Sequence, residues 1–490
     1  MTKVIVIGID ALDWEILQRF IDDLPNFKKV VNQGFGTRME SIFPPDTDTI
    51  WTSIHTGLSP GRHGMIQYVD PLEKSMTIQT VEAPISSTQG KAFWDYASKY
   101  DRRVCVLLAN ATYPPWKVNG IMVSRSRVKD NVLAYPEQLH VEYDLSKINT
   151  PKGVPRKDYA TLKRLTDVHK KLIIDEAEFF VKMLSTDDWG LFFAYTSSLD
   201  RVHHYMWNFW DENDPEYPGD NPFKDNLFKM YRLYDDMIGK VLATMDRDSV
   251  LIIVSDHGQA RRPLKVININ EVLRKSGLLS AKSGLISRSI KGIKSRVART
   301  ISKRDLGWLV FKFLKVFPFA RRVYVQSTAI EPKATLAYAT DLSGVKAYTY
   351  GGINIRRPDT AEDYEEIRDT IINIVRDIKN PITGERVVKS VWRREDIYHG
   401  EYARLQPDIM VEMELEYGIG QEIDVPILGD APVSSLVPGS HRRDTAVFLV
   451  TGDRICSAPR EVSPLDIAPT VLHLLDIEDD FDLDGKSILK

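Results

Sequence analysis

The chain has 490 residues, 43% hydrophobic and 27% charged, enough for a large core or for one catalytic domain with an insertion. Its net charge of -3 excludes a global electrostatic case for nucleic-acid binding. No apolar run reaches transmembrane length, and two cysteines, Cys105 and Cys456, make no disulfide framework, so the expected location is a reducing compartment, the cytoplasm.

The first ten residues lack a signal-peptide cleavage region and read as a buried strand, because Val4 to Ile9 is a continuous, mostly β-branched apolar run. The run ends on Asp10, and a helical pattern follows through Trp14, Ile16, Leu17 and Phe20. Next comes Phe43-Pro-Pro-Asp-Thr-Asp-Thr-Ile-Trp-Thr-Ser-Ile-His-Thr-Gly-Leu-Ser-Pro-Gly-Arg-His63. The prolines stop regular structure, and a helix beginning near Asp46 or Asp48 is N-capped and ends at Gly57. A hydroxyl at such a helix start sits in a positive field that favours anions, a seat for a nucleophile attacking phosphate. Taken alone, the stretch reads first as an ordinary Ser/Thr-rich capped turn.

Val104 to Leu108 and Ile121 to Val123 are short strands. A helix from Tyr159 to Leu184 precedes the strand Leu191 to Tyr195, and a helix from Phe223 to Met245 precedes Val250 to Val254. Thr445 to Val450 is another strand. Strands alternating with helices predict an α/β fold with a mostly parallel sheet, whose ligands bind beyond the carboxyl ends of the strands. Asp10, Asp200, Asp256 and His257 all fall there or just after.

Residues 261 to 325 carry 17 Lys/Arg against two acids, Glu271 and Asp305, which leaves 48 basic and 66 acidic residues in the rest of the chain. Ile286, Ile290, Ile293, Val297 and Ile301 recur at helical spacing with Lys and Arg between them, and Trp308, Leu309, Phe311, Phe313 and Leu314 follow. The expected organisation is a catalytic domain over 1–260 and 333–490, interrupted by a basic amphipathic insertion at 261–332. Three roles are open for the insertion. Residues 286–322 could lie on an anionic membrane surface, cap the catalytic domain, or steer anionic substrate. From Lys333 to Tyr417 the pattern is again mixed, with a helix Tyr364 to Ile378 and a turn Lys379 to Gly384.

Each acid or histidine is unremarkable alone. Asp200 and His204, four apart, share one face if helical, but they also read as a solvated helix start. Asp256-His257 reads as a turn, Asp10 as a helix cap and His441 as a loop histidine. Together, three acids and three histidines at strand ends or adjacent loops are not explained by capping.

With the Phe43–His63 stretch these residues resemble the alkaline phosphatase superfamily, and within it the type I phosphodiesterase/nucleotide pyrophosphatase family. That family's first strand ends in a metal-binding Asp, matched by Asp10. Its nucleophile lies nine residues before the Thr of a Thr-Gly that precedes Pro-x-x-His-Gly. Counting back from Thr56-Gly57 gives Thr47, and Pro60-Gly-Arg-His63-Gly64 completes the pattern. Asp200-x-x-x-His204, Ser255-Asp256-His257-Gly258 and Gly439-Ser-His441 match the remaining motifs, and Leu465-Asp-Ile-Ala-Pro-Thr-Val-Leu472 with Asp484-Gly-Lys also looks like the superfamily. Two features depart from it. Asp48-Thr49 stands where the family often has Phe-Pro, leaving Thr49 as a rival hydroxyl, and no Gly soon follows His441. Cys456-Ser-Ala-Pro-Arg460 fits a sulfatase signature but lies at the wrong end of the chain.

The resemblance implies an alkaline-phosphatase-like sandwich and a metal-dependent phosphoesterase, most like a phosphodiesterase or nucleotide pyrophosphatase. By resemblance, Asp10, Asp256 and His257 hold one divalent ion, which also binds Thr47. Asp200, His204 and His441 hold the other, and Thr47 becomes a phosphothreonine. Zn²⁺ suits this ligand mix, with Mn²⁺ or Fe²⁺ as alternatives. Asn110 and Arg62 are the candidates for contact with a phosphate-ester substrate. A phosphomonoesterase or phosphomutase of the same superfamily is the alternative within the class, and a membrane-surface binding protein without turnover the alternative outside it. Oligomeric state is not legible in the sequence.

Overall fold

In the computed structural model, which describes residues 2–65, 84–126, 128–151, 158–282, 330–340, 348–356, 360–431, 437–453, 455, 461–477 and 481–489, the first apolar run forms β1 (Lys3–Ile9) inside an eight-stranded sheet. β6 (Leu191–Thr196) and β7 (Ser249–Val254) flank β1 in parallel, and β3 (Val104–Leu107) and β4 (Gly120–Arg125) extend the parallel set beyond β6. β5 (Val132–Tyr135) pairs antiparallel with β4. On the other side β17 (Ala446–Thr451) runs antiparallel to both β7 and β2 (Phe35–Met39). The order is β2-β17-β7-β1-β6-β3-β4-β5.

Successive side chains of β1 enter two different cores: Ile5, Ile7 and Ile9 face one, Val4 and Val6 the other. Helices Trp14–Phe20, Pro25–Gln33, Tyr159–Leu184, Ser198–Trp210 and Asn226–Thr244 cover the first face. Helices Thr47–Thr56, Phe93–Lys99 and Ile467–Leu474 cover the second. Both faces are therefore buried, which is why β1 is apolar throughout rather than alternating. Each such aliphatic side chain contributes about 1.5–3 kcal/mol by burial. The α/β sandwich with a mostly parallel central sheet is the expected fold class.

Element ends differ from expectation where side chains capture backbone groups. The helix expected over Phe223–Met245 runs Asn226–Thr244, because Asn221 Oδ1 takes the Phe223 N–H in a preceding turn. The helix expected from Tyr364 opens at Ala361, capped by the Thr360 hydroxyl.

A smaller core lies outside the main sandwich. β10 (Ala337–Thr340), β11 (Tyr350–Ile355), β13 (Ile409–Met413) and β12 (Val388–Arg393) form an antiparallel sheet in that order, packed with helix Ala361–Arg376. β9 (Lys265–Asn268) sits between β14 (Tyr417–Gly420) and β15 (Leu428–Asp430). Ile267, Ile269, Leu273, Leu279 and Ile330, from the flanks of the basic segment 261–332, belong to this smaller core. Residues 283–329, with the expected amphipathic helices and the whole of the expected membrane-facing stretch 286–322, lie outside the described residues, as does Cys456. Among the described residues no helix is long and apolar enough to cross a membrane.

A two-stranded ribbon joins the site to the sandwich. β8 (Gly258–Arg261) pairs antiparallel with β16 (Gly439–Arg442), placing His441 opposite Gln259.

Candidate metal centre

The carboxyl ends of β1, β6 and β7 deliver the candidate ligands. Asp10 follows β1, and its N–H donates to Thr196 O at the end of β6 (3.0 Å). The Ser198–Trp210 helix then carries Asp200 and His204 on successive turns. β7 runs out into Ser255, whose hydroxyl donates to Leu12 O (2.8 Å) and accepts the Val447 N–H (2.8 Å). Asp256 and His257 follow. A Cβ at Gly258 would collide with the Asp13 carboxylate and the Thr445 hydroxyl, so only glycine follows His257 without displacing them. Buried Asp13 accepts from Ile16 N (3.0 Å), Gln259 N (3.0 Å) and Thr445 Oγ1 (2.5 Å), tying the loop after β1, the loop after β7 and the start of β17 together.

Two trios of ligand atoms result. In the first, Asp200 Oδ1 lies 3.2 Å from His204 Nε2 and 3.4 Å from His441 Nε2, and the two nitrogens are 3.0 Å apart. These separations are about the edge of a tetrahedron centred on an ion roughly 2.0–2.1 Å from each vertex. In the second, His257 Nε2 lies 3.3 Å from Asp256 Oδ2 and 3.6 Å from Asp10 Oδ1. The ligand atoms of each trio all fall within 4.8 Å of one another. The rings of His257 and His441 stack at 3.7 Å, so the trios are neighbours.

The hydrogen bonds set the polarity of all three rings. His204 Nδ1 meets Gly439 O (3.0 Å), His441 Nδ1 meets Pro45 O (2.6 Å) and His257 Nδ1 meets Gly258 O (3.0 Å). A carbonyl only accepts, so each Nδ1 bears the hydrogen and each Nε2 presents a lone pair. The carboxylates are similarly aimed. Asp10 Oδ2 accepts from the Tyr195 hydroxyl (2.5 Å) and Asp256 Oδ1 from the Ala11 N–H (3.2 Å). Asp10 Oδ1 and Asp256 Oδ2, the oxygens facing His257, are buried with no hydrogen-bond partner among the described residues. Leaving such an oxygen unpaired costs about 1–3 kcal/mol, more when it is charged. Buried acceptors that converge without a hydrogen between them fit divalent cations.

Electrostatics agree with that fit. Burial pushes Asp10 and Asp256 well above the usual carboxylate range, and Asp256 adds to the rise at Asp10, as Asp200 does at Asp256. Burial opposes ionisation of Asp200 too, yet His204 and His441 hold it well below that range. Burial, then the neighbouring His441, holds His257 well below the usual imidazole range. Cations at the trios would favour carboxylates and neutral imidazoles throughout.

Thr47 opens the helix Thr47–Thr56, capped by Asp46 and closed by Gly57 in the left-handed region (φ 67°). Trp51 of this helix lies on Gly8 of β1, where any Cβ would come within 2.5 Å of the indole. The helix start is thereby seated over the strand ends. Thr47 Oγ1 lies 3.3 Å from His257 Nε2, and since that nitrogen accepts, the hydroxyl donates. Thr49 is buried, and its hydroxyl and N–H both donate to the Asp46 carboxylate (3.2 and 3.4 Å). Asn110 reaches the same helix start, its Nδ2 donating to Asp48 Oδ1 (2.8 Å).

Arg62 is not brought to the trios. Its guanidinium is engaged by Asp484 (2.9 Å) and Asp482 (2.5 Å) near the C-terminus. His63 pairs with Ser53 (2.9 Å), His55 is packed among Trp51, Trp94 and Phe193, and His203 lies beside Trp207 and Tyr231. Sequence reasoning did not find Tyr195, Gln259 or Tyr348. Gln259 Nε2 donates to Asp200 Oδ1 (2.9 Å), and the Tyr348 hydroxyl lies 3.3 Å from His441 Nε2. Only Gln259, adjoining Asp256-His257-Gly258, carried a signal of position.

The profile of the type I phosphodiesterase / nucleotide pyrophosphatase family matches residues 4–432. No curated protein matches the chain by sequence. Among solved structures, murine ectonucleotide pyrophosphatase / phosphodiesterase 5 in an inactive form in complex with AMP aligns at 12% identity and a TM-score of 0.51, covering 99% of this chain and 98% of that one. A second structure of the same murine protein aligns at 12% identity and a TM-score of 0.50 with the same coverage. At that identity the likeness concerns the fold.

Proposed function

The chain belongs to the type I phosphodiesterase / nucleotide pyrophosphatase family, metal-dependent phosphoric ester hydrolases, and from that premise we propose that it cleaves phosphodiester or pyrophosphate bonds through Thr47 at a two-ion centre. Asp10, Asp256 and His257 would hold one ion, and Asp200, His204 and His441 the other. Bound there, divalent ions supply the positive charge that phosphoryl transfer requires and acidify an oxygen nucleophile. The tetrahedral spacing of the His-rich trio favours Zn²⁺, with Mn²⁺ or Fe²⁺ as alternatives.

Thr47 is the nucleophile. The contact with His257 aims its hydroxyl at the trios, and the first turn of its helix favours a developing oxyanion. Its oxygen attacks phosphorus, the hydroxyl proton passing to solvent, and the leaving oxygen departs with its electron pair. A phosphothreonine remains, still esterified to the retained alcohol of the diester, and water hydrolyses its bond to Thr47, releasing a phosphate monoester and restoring the hydroxyl. Asn110, at the rim of the helix start, is the candidate contact to a phosphoryl oxygen. The AMP bound by the murine protein supports nucleotides as the substrate class. Diesters are favoured over monoesters, because the candidate arginines for neutralising extra phosphate charge are placed elsewhere. Arg62 is held by Asp482 and Asp484, and Arg201 lies over the Tyr205 ring (5.3 Å). A cytoplasmic location rests on the two cysteines, of which Cys105 is a buried free thiol.

The 3.3 Å contact of Thr47 with His257 beside the two trios carries this reading. Acid quenching during turnover of a nucleotide diester, followed by peptide mass spectrometry, tests it. A phosphoryl group that still carries one ester of the diester is expected on Thr47. The same adduct on Thr49 would move the nucleophile, and turnover that persists through exhaustive chelation would remove the ions from the reaction.

A further inference from the structure

Three consecutive carbonyls lead into the Thr47 helix, and each is taken by a different donor. Pro44 and Pro45 carry no N–H, so between Phe43 and Asp46 the backbone has carbonyls to place and no donor of its own. The Asp46 N–H turns back to Pro44 O (2.8 Å). His441 Nδ1 donates to Pro45 O (2.6 Å), which the Tyr350 hydroxyl also reaches (3.5 Å). Phe43 O accepts from the Tyr398 hydroxyl, 355 positions away. One end of the lead-in is thus fixed to a ligand of the first trio and the other to the smaller core.

Tyr398 is itself firmly placed. It closes the short helical turn Arg394–Ile397 that follows β12, its N–H donating to Arg394 O (2.9 Å). Arg394 pairs with Asp408 (3.0 Å), just ahead of β13, and Glu395 pairs with Arg368 of helix Ala361–Arg376 (2.6 Å). The turn is therefore tied to the smaller sheet and to its helix. The Tyr398 ring is buried and clusters with Phe43, Tyr350 and Met410, and Phe43 also packs against Trp392 of β12 (5.1 Å). A backbone carbonyl only accepts, so the phenol donates, and its removal would leave Phe43 O buried without that donor. A shift of the lead-in would relieve that cost. Thr47 lies four residues on, its hydroxyl 3.3 Å from His257 Nε2. A misplacement of about 1 Å can lower an enzymatic rate roughly 100-fold.

We propose that Tyr398 is a positioning residue for the reaction: from the smaller core, its hydroxyl sets where the Thr47 nucleophile stands against the two trios. The inference rests on the reading of Thr47 as the nucleophile.

The test compares the metal-loaded full chain with Tyr398→Phe, which retains the ring and its packing. Tyr417→Phe is the control, because it removes a hydroxyl of the same core that takes the Asn380 amide (2.8 Å). Single turnover of a nitrophenyl alkyl diester, followed by nitrophenolate release over a range of enzyme concentrations, gives the rate of attack and the half-saturating concentration. Elemental analysis gives ion content. In Tyr398→Phe the rate of attack is expected to fall roughly 10- to 100-fold, with half-saturation within about twofold and ion content equal, whereas Tyr417→Phe keeps the parent rate. A rate of attack within about twofold of the parent would overturn the inference, however far the Tm falls, and leave Thr47 as the nucleophile. Loss of an ion from Tyr398→Phe would overturn it too, since the effect would then run through His441. Equal losses of rate in both variants would overturn it by assigning the effect to the smaller core as a whole. A parent adduct on a residue other than Thr47 overturns both readings, and that result is read from the parent alone.

Discussion

His204 Nε2 and His441 Nε2 face each other at 3.0 Å, while each ring holds its hydrogen on the far nitrogen against Gly439 O or Pro45 O. Two lone pairs at that distance repel unless a cation lies between them. Asp10 Oδ1 and Asp256 Oδ2 add two buried oxygens without donors among the described residues. Metal removal should therefore lower stability as well as activity. A ligand at a hundred times its Kd adds about 2.7 kcal/mol to folding. Thermal unfolding is expected to show a lower Tm after exhaustive chelation and recovery on adding Zn²⁺ or Mn²⁺. Equal Tm values with and without chelator would mean that the trios hold no ion.

Thr47 and Thr49 separate chemistry from stability. Thr47 Oγ1 is directed at His257, whereas Thr49 satisfies the Asp46 cap. Thr47→Ala should reduce diester turnover to background with little change in Tm. Thr49→Ala should keep turnover and lose about 1 kcal/mol of stability, the scale of one buried hydrogen bond. Steady-state rates beside denaturant titrations decide it, and a Thr49→Ala protein that folds normally but does not turn over would reverse the assignment.

Gln259 should tune the first trio, that of Asp200, His204 and His441. Its backbone is pinned by Asp13 and by pairing with β16, and its amide donates to Asp200 Oδ1 (2.9 Å). Losing a hydrogen-bond partner of a metal ligand costs about 10–100-fold in metal affinity. Gln259→Leu, which keeps the strand and removes the donor, should weaken binding of one ion by that factor and leave the other unchanged. Competitive titration with a chromophoric chelator resolves the two steps. Two unchanged affinities would make the amide a bystander.

The sequence made legible those features that local spacing controls. Helix Tyr159–Leu184 begins and ends as its apolar period predicts, with Asp158 as its cap. The six candidate ligands and Thr47 were visible because each stands in a short motif at a strand end, and the structure brings them together. The residues that orient them were hidden because their contacts are long-range. Tyr195 reaches Asp10 from 185 positions away, and Tyr348 reaches His441 from 93. A tyrosine that closes an apolar strand looks the same whether or not its hydroxyl meets a carboxylate. Arg62 was misleading for the converse reason. It adjoins the nucleophile helix in sequence, but carboxylates some 420 positions away claim its charge. The strand pairing of β17 with both β7 and β2 likewise depends on partners that no local period encodes.

Buried histidines outside the centre should set the acid limb of stability. His55 is fully buried, neither ring nitrogen has a hydrogen-bond partner among the described residues, and Trp94 and Phe193 pack at 4.8 and 5.2 Å. Burial lowers its pKa from the ordinary 6.5 to about 3, so the folded chain keeps the ring neutral where the unfolded chain protonates it. His63, His169 and His203 are likewise lowered to about 3 by burial. Between pH 6.5 and 3 the unfolded state therefore binds more protons, and stability falls as pH falls. The loss approaches about 1.4 kcal/mol per pH unit for each histidine, and above the unfolded value the term is fully favourable and flat. His55→Leu removes one such term from an apolar pocket that accommodates the aliphatic side chain. Its stability at pH 7 should match or exceed the parent's, and the slope between pH 4.5 and 6 should be shallower by up to about 1.4 kcal/mol per unit. The ligand trios titrate in both proteins, so their contribution cancels in the difference. Urea unfolding across that window measures it, and parallel slopes would show that His55 takes up its proton without unfolding.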